Sequence, residues 1–292
     1  DQVISKAAEL QRIVAVDMHK RYDPFVREMM TKAPEQYGTI NRIRAVLEEP
    51  LEVSTEIFAW AEESNPFAYV GCHWLDVVHH YLNVRPVSVF ATGQKNLLLH
   101  WDQHHQEIAR RRGVDAASFK RQGPINTWDS LDVAVTYDNG MRGDYNNNWI
   151  NPEEFEGAVN QEIELYGIYG RGMVDQQERG FREAIIGDGS RTRNPSFGGR
   201  IRHHGGQLEI FGYGKASIAA GLLAIIRRRI LGESMDVLAD TYPTAASQRD
   251  IVQVIEAASV VAEKNHECFQ AGQGTPVTAL LSDGGFELLG AS

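Results

Sequence analysis

Between Asp129 and Tyr145 the chain carries the pattern that most restricts its fold. Leu131, Val133 and Val135 alternate with other residues, Asn139-Gly140 occupies a turn position, and a second strand-like run follows. A period of two buries one face of a strand, and Asn-Gly is a favoured pair at a hairpin turn. Gln161 to Tyr166 and Gly172 to Gln176 continue the pattern across a turn at Tyr169-Gly170, which predicts a sheet of at least four strands, largely antiparallel. The alternating run from Ile43 to Phe58, interrupted at Pro50, predicts where this sheet begins.

Helical spacing flanks this region. Val3, Ile4, Ala7, Ala8 and Leu10 fit one helix face, and the β-branched run Ile13 to Val16 predicts a short strand after it. Gly71 to Leu82 carries Leu75, Val78 and Leu82 on one stripe before Pro86 and a strand over Val87 to Ala91. Helices are expected to return only at the end, over Lys215 to Leu231 and Ser247 to Asn265, the second with Ser247 and Asp250 spaced as a capping box. Strands grouped in the middle with helices around them argue an α+β class: a largely antiparallel open sheet flanked by helices.

Apolar residues make up 42% of the 292, enough for a buried core. The 29 basic and 39 acidic side chains give a net charge of −10, and no basic run offers phosphates a landing place, so nucleic acid is not an expected partner. The longest apolar stretch, Ile218 to Ile226, contains Gly221 and ends at Arg227, well short of the roughly 20 residues of a membrane span. Cys72 and Cys268 are too far apart in sequence for a disulfide framework or a zinc motif, which predicts a reducing, cytoplasmic setting. The chain opens with Asp1 and no leader-like segment, from which a truncated start is expected.

Three motifs compete for chemistry. Leu208 to Phe211 followed by Gly212-Tyr213-Gly214-Lys215-Ala216-Ser217 mimics a dinucleotide fingerprint, but Ser217 stands where the last Gly belongs and no second strand ends in an acidic residue about 20 positions on. His100, His104 and His105 include an i, i+4 pair, yet no acidic partner completes a ligand set; a polar helix running to Arg112 is the favoured reading, and no metal is expected. His203 and His204 beside Gly205-Gly206 read as a solvent-facing hairpin turn. The informative constellation is Gly71-Cys72-His73-Trp74-Leu75-Asp76 at the mouth of a helix. A helix N-terminus disfavours an imidazolium, so His73 would be neutral near pH 7 and able to accept a proton. Its alternative is a histidine packed beneath a sheet, which is common.

The segment Val14-Ala15-Val16-Asp17-Met18-His19-Lys20-Arg21-Tyr22-Asp23-Pro24 resembles the domain junction of Gfo/Idh/MocA oxidoreductases, and the Gly-x-His-x-x-Asp pattern of residues 71 to 76 is similar to that family's catalytic helix. Asn148-Trp149-Ile150-Asn151-Pro152 and the run Glu162 to Gly172 resemble its sheet strands and the turn between them. The order and spacing of these pieces cover nearly the whole chain.

The resemblance implies residues 1–17 as the last helix and strand of a nucleotide-binding Rossmann domain, and residues 18–292 as a substrate-binding, catalytic and oligomerisation domain. It implies an NAD- or NADP-dependent dehydrogenase acting on a secondary alcohol of a sugar or cyclitol. His73 is the expected general acid/base, with Tyr69 where several relatives place Asp, and Asp76 matching a frequent family Asp or holding the helix start. Lys20 either supplies charge near the substrate oxygen or lies at the domain seam. Asn148 and Trp149 either contact a sugar ring or pack as ordinary strand residues. The family's Glu-Lys-Pro motif is absent, so the main cofactor site is expected to be missing from this chain. A homo-oligomer formed through the sheet is expected. The rival reading is a non-catalytic binding or assembly module.

Overall fold

The computed structural model describes residues 1–155, 159–176, 180–193, 201–204, 207–210, 213–272 and 274–290. It opens with α1 (Gln2–Glu9) and a 3₁₀ turn over His19–Tyr22, followed by α2 (Pro24–Gln36) and β1 (Ile40–Pro50). Next come α3 (Cys72–Leu82), β2 (Pro86–Gln94) and α4 (Trp101–Arg112). The strands β3 (Ser130–Tyr137), β4 (Arg142–Asn151), β5 (Asn160–Gly167), β6 (Gly170–Asp175), β7 (Gly180–Ile185) and β8 (Gly189–Arg193) then run in succession. A separate hairpin of β9 (Ile201–His204) and β10 (Gln207–Ile210) leads to α5 (Tyr213–Ile226), the short α6 (Met235–Leu238), the long α7 (Arg249–Ala271) and a closing hairpin of β11 (Thr278–Ser282) and β12 (Gly285–Leu289).

Ten strands form one open sheet in the order β12-β11-β2-β3-β4-β1-β5-β6-β7-β8. Every neighbouring pair is antiparallel except β1 and β4, which run parallel in the middle. The hairpin expected at Asn139-Gly140 is present, with Gly140 at φ +83° and Asn139 Oδ1 accepting the Met141 N–H. The α+β class and the open sheet follow the sequence reading.

One sheet face buries the alternating apolar residues against α2, α3 and α7. Ile43, Ala45 and Leu47 of β1 and Leu131, Val133 and Val135 of β3 meet Met29 and Met30, Trp74 and Val78, and Val254 and Val261 from these helices. The other face is polar. Arg42 and Arg142 both bond Asp144, and Glu164 holds Arg171 and Tyr166, with Arg44 Nη1 at 3.7 Å.

Several local expectations are corrected. Ile13–Val16 is no strand: Ala15 makes only an isolated bridge to Thr244, because its neighbours are the loop before α7 and not a sheet edge. The run from Ile43 to Phe58 stops at Pro50, which has no N–H to continue a ladder; the chain then wraps into a single π turn over Val53–Ile57, with the Ser54 and Thr55 hydroxyls donating to Leu51 O. Ser247 and Asp250 form no capping box: α7 starts later, and Thr244 Oγ1 accepts the Ser247 N–H at 3.0 Å. The helix over Gly71–Leu82 and the polar helix ending at Arg112 are present as α3 and α4, and α2 is a helix that was not expected. In α2 the Asp23 carboxylate caps the N–H groups of Phe25 and Val26 with Pro24 at the first position, and Val26, Met29, Met30 and Ala33 recur at helical spacing.

Candidate active site

His73 sits on α3, whose start is fixed by packing. A Cβ on Gly71 would collide with Phe67 and come within 2.7 Å of Asn147 Oδ1, so only glycine lets this turn lie on β4. Trp74 Nε1 donates to Val46 O at 3.0 Å and fastens the helix to β1. A π turn over Phe67–Gly71, preceded by Pro66, runs directly into α3. His73 therefore lies beyond the first helical turn, and the expected dipole effect is not what shifts it. Burial, then His19, then Lys20 push its pKa down to about 3, and its Nδ1 is buried with no hydrogen-bond partner among the described residues.

The 3₁₀ turn supplies the groups opposite. The His19 and His73 rings lie 4.4 Å apart. Lys20 is buried, with its Nζ 4.5 Å above the Trp74 ring, donating to Gln161 Oε1 and to Gln176 Oε1, the latter at 2.6 Å. Desolvation, opposed by Asp23, Cys72 and Glu49, brings its pKa down to about 7. Next along the turn, Arg21 grips buried Asp76 through both carboxylate oxygens, with Nε to Oδ2 at 2.6 Å; Gln248, immediately before α7, donates to the same carboxylate at 2.8 Å. Asp76 thus holds the turn against α3 and does not cap the helix.

Tyr69, one helical turn before His73, joins an aromatic group. Its ring lies 5.0 Å from Phe58, 5.3 Å from Trp60 and 6.1 Å from Trp149. Burial, then Glu49 and Cys72, raise its pKa. Trp149 is fully buried and donates from Nε1 to Glu49 Oε2 at 3.1 Å, which leaves its ring in strand packing. Asn148 points to the sheet face away from α3, where it donates to Glu48 Oε1. The fold thus brings His73, Tyr69 and Lys20 together, places Asp76 behind them and leaves Asn148 elsewhere.

Glu49, His19, Gln161 and Gln176 were not singled out from sequence. Glu49 had a signal: it continues the apolar face of Ile43, Ala45 and Leu47, where a carboxylate is out of place. Burial raises its pKa to about 7 against the opposing Trp149 N–H and Lys20.

Other candidates lie apart from this cluster. His105 is buried with Nδ1 2.8 Å from Trp101 O, His100 is exposed, and among the described residues no three His, Cys, Asp or Glu converge on a metal position. A cleft of about 580 Å³ lies between α1 and α7; it is lined by Cys72 but not by His73. The strand preceding the Gly212–Ser217 segment pairs antiparallel with β9, in contrast to the parallel strand a dinucleotide fold requires, and residues 211 and 212 lie outside the described residues. The side chains of His203 and His204 also lie outside them.

Residues 33–171 match the family described as GFO/IDH/MocA C-terminal domain. That match takes in just under half of the chain. The chain superposes on the UDP-N-acetylglucosamine 3-dehydrogenase from Acidithiobacillus ferrooxidans with a TM-score of 0.58 at 15% identity, covering 90% of this chain and 66% of that one. An inositol dehydrogenase homolog from Azotobacter vinelandii, complexed with NADH and myo-inositol, gives 0.61 at 14%, covering 89% and 65%. Aldose-aldose oxidoreductase from Caulobacter crescentus, complexed with glycerol, gives 0.62 at 11%, covering 90% and 65%. At these identities the likeness is one of fold, and the chain spans just under two thirds of the length of these structures. No curated protein sequence matches it.

Replacing Asp76 with Ala should destabilise the chain by about 3–5 kcal/mol, since it strands the buried Arg21 guanidinium. Urea unfolding followed by circular dichroism measures this, and a loss under about 1 kcal/mol would show the pair to be dispensable.

Proposed function

We propose that this chain is the substrate-binding and proton-transfer part of an NAD(P)-dependent oxidoreductase acting on a secondary alcohol of a sugar or cyclitol. The observation that carries the reading is His73: a half-buried imidazole, neutral at physiological pH, whose buried Nδ1 has no hydrogen-bond partner among the described residues and which sits beside a buried lysine. The alcohol proton passes to His73 as the carbonyl forms, and the reverse reduction uses the same group as acid. A base with so low a pKa is weak. Its basicity rises when negative charge develops on the substrate oxygen beside Lys20, because the repulsion that Lys20 exerts on an imidazolium is then offset. Tyr69 and Glu49 line the approach to this centre, and Asp76 acts through Arg21.

A nicotinamide cofactor supplies the hydride chemistry in this reading. Its diphosphate needs a Gly-rich turn between a parallel strand and a helix. The described residues offer no such cradle, so the reading for this chain is confined to substrate and proton. It treats residues 1–17 as the end of a Rossmann domain, in keeping with an α1 that buries none of its residues. A cytoplasmic setting belongs to the same reading, and among the described residues no helix is long and apolar enough to cross a membrane.

Three outcomes test it. In a protein that contains this chain and turns over NAD(P)H with a confirmed sugar substrate, His73→Ala should lower kcat by about 10²–10⁴-fold, while KM changes only by the roughly fivefold worth of one lost hydrogen bond. Turnover within a few-fold of the parent, with a lowered Tm, would identify His73 as structural.

The 292-residue chain itself should show no micromolar binding of NADH by calorimetry or fluorescence. Tight binding would mean that a cofactor site exists in it after all.

The chain is expected to form a homo-oligomer through the open face of its sheet, whose charged ladder suits a polar contact. Light scattering that detects monomer alone at working concentration argues against this.

A further inference from the structure

Of the five tryptophans, Trp74, Trp101, Trp128 and Trp149 are buried, and Trp60 alone is exposed, at 38%. Its ring is not loose. It stacks on Phe58 at 4.3 Å and 19° and leans on Tyr69 at 5.3 Å. The backbone beneath it is pinned from across the domain: Arg121 Nη2 donates to Phe58 O at 2.8 Å and to Ala59 O at 2.6 Å, and Arg121 Nη1 lies 3.6 Å from Glu62. An aromatic face fixed in place before binding costs little to use.

Trp60 also stands at a telling distance from the chemistry. Tyr69 precedes His73 by one helical turn, and Trp60 lies one ring contact beyond Tyr69, which puts the indole on the order of 10 Å from the imidazole. This exceeds the reach of a single six-membered ring seated at His73 and suits a second ring joined to it. Sugars present an apolar C–H face and a polar hydroxyl rim, and here the apolar platform is bordered by exposed Glu62 and Glu63, which accept from hydroxyls.

We infer that Trp60, backed by Phe58 and Tyr69, is an outer carbohydrate subsite that stacks the second ring of a substrate extended beyond the sugar unit that reacts. The inference rests on the functional reading above and narrows its substrate class from any sugar alcohol to a glycosidically extended one.

Acrylamide quenching of tryptophan fluorescence in the full chain isolates Trp60, because its four counterparts are buried. Maltose and cellobiose serve as two-ring probes, glucose and myo-inositol as one-ring probes, and uridine as a nucleobase probe. Expected is protection of the quenchable tryptophan by a two-ring sugar at concentrations where one-ring probes give none. W60A should weaken calorimetric binding of that disaccharide by about 3- to 10-fold, with one-ring binding unchanged, and W60F should restore most of it. Equal protection by one-ring probes, protection by uridine alone, or no protection by any probe overturns the subsite. None of these measurements uses cofactor or turnover. Failure of His73→Ala to lower kcat would therefore sink the catalytic reading and leave the Trp60 result standing, and the reverse holds equally.

Discussion

The buried ion pair between Arg21 and Asp76 is the contact on which the candidate site depends. Two charges removed from water are costly to desolvate, and a pair like this repays the cost only when its geometry is good and its remaining lone pairs are used. Here both carboxylate oxygens are engaged by the guanidinium, Gln248 takes a further lone pair, and the Tyr81 hydroxyl donates to the Arg21 carbonyl at 2.7 Å. The 3₁₀ turn, α3 and α7 are thereby locked in one register. That register sets His19 and Lys20 against His73. A hydrophobic contact in the same place would hold the elements together but would fix their relative rotation less well.

Around that lock, three ionisable groups are each displaced toward neutrality. Burial acts on all of them, lowering His73 and Lys20 and raising Glu49. Charge neighbours then separate them: Lys20 depresses His73 further, while Glu49 and Lys20 each favour the other's charged form. The carboxamides of Gln161, on β5, and Gln176, just past the end of β6, hold the lysine head by their oxygens from the far side of β1 from β4.

The sheet and the helix that carries His73 were legible because their signals are local. Alternation with Asn139-Gly140 forces a hairpin, and Gly71 before His73 marks a helix start pressed against a strand. What was hidden depends on distant partners. Trp149 and Trp60 are the same residue type, and only the packing of Leu51, Val53 and Trp101 around Trp149 removes it from solvent while Trp60 stays accessible. The role of Asp76 could not be read from its helix, since its partner lies on a turn 55 positions earlier. The helix over Pro24–Gln36 was legible in principle from its Asp-Pro start, but the Asp-Pro pair was read only as a domain junction.

The parallel pairing of β1 with β4 sets an order on how the chain is assembled. Leu47 meets Asn147 and Glu48 meets Asn148, each across 100 positions, whereas β3 and β4 are joined by a tight turn. Closing so large a loop costs entropy before any contact repays it, and contacts of long sequence separation slow folding. The β3–β4 hairpin therefore forms while β1 still has an unpaired edge, and the central seam of the sheet closes afterwards. In a chain emerging from the ribosome, β1 waits through the synthesis of α3, β2 and α4 for its parallel partner. The charged side chains of β1 itself, Arg42, Arg44 and Glu48, keep that waiting edge from pairing with another copy.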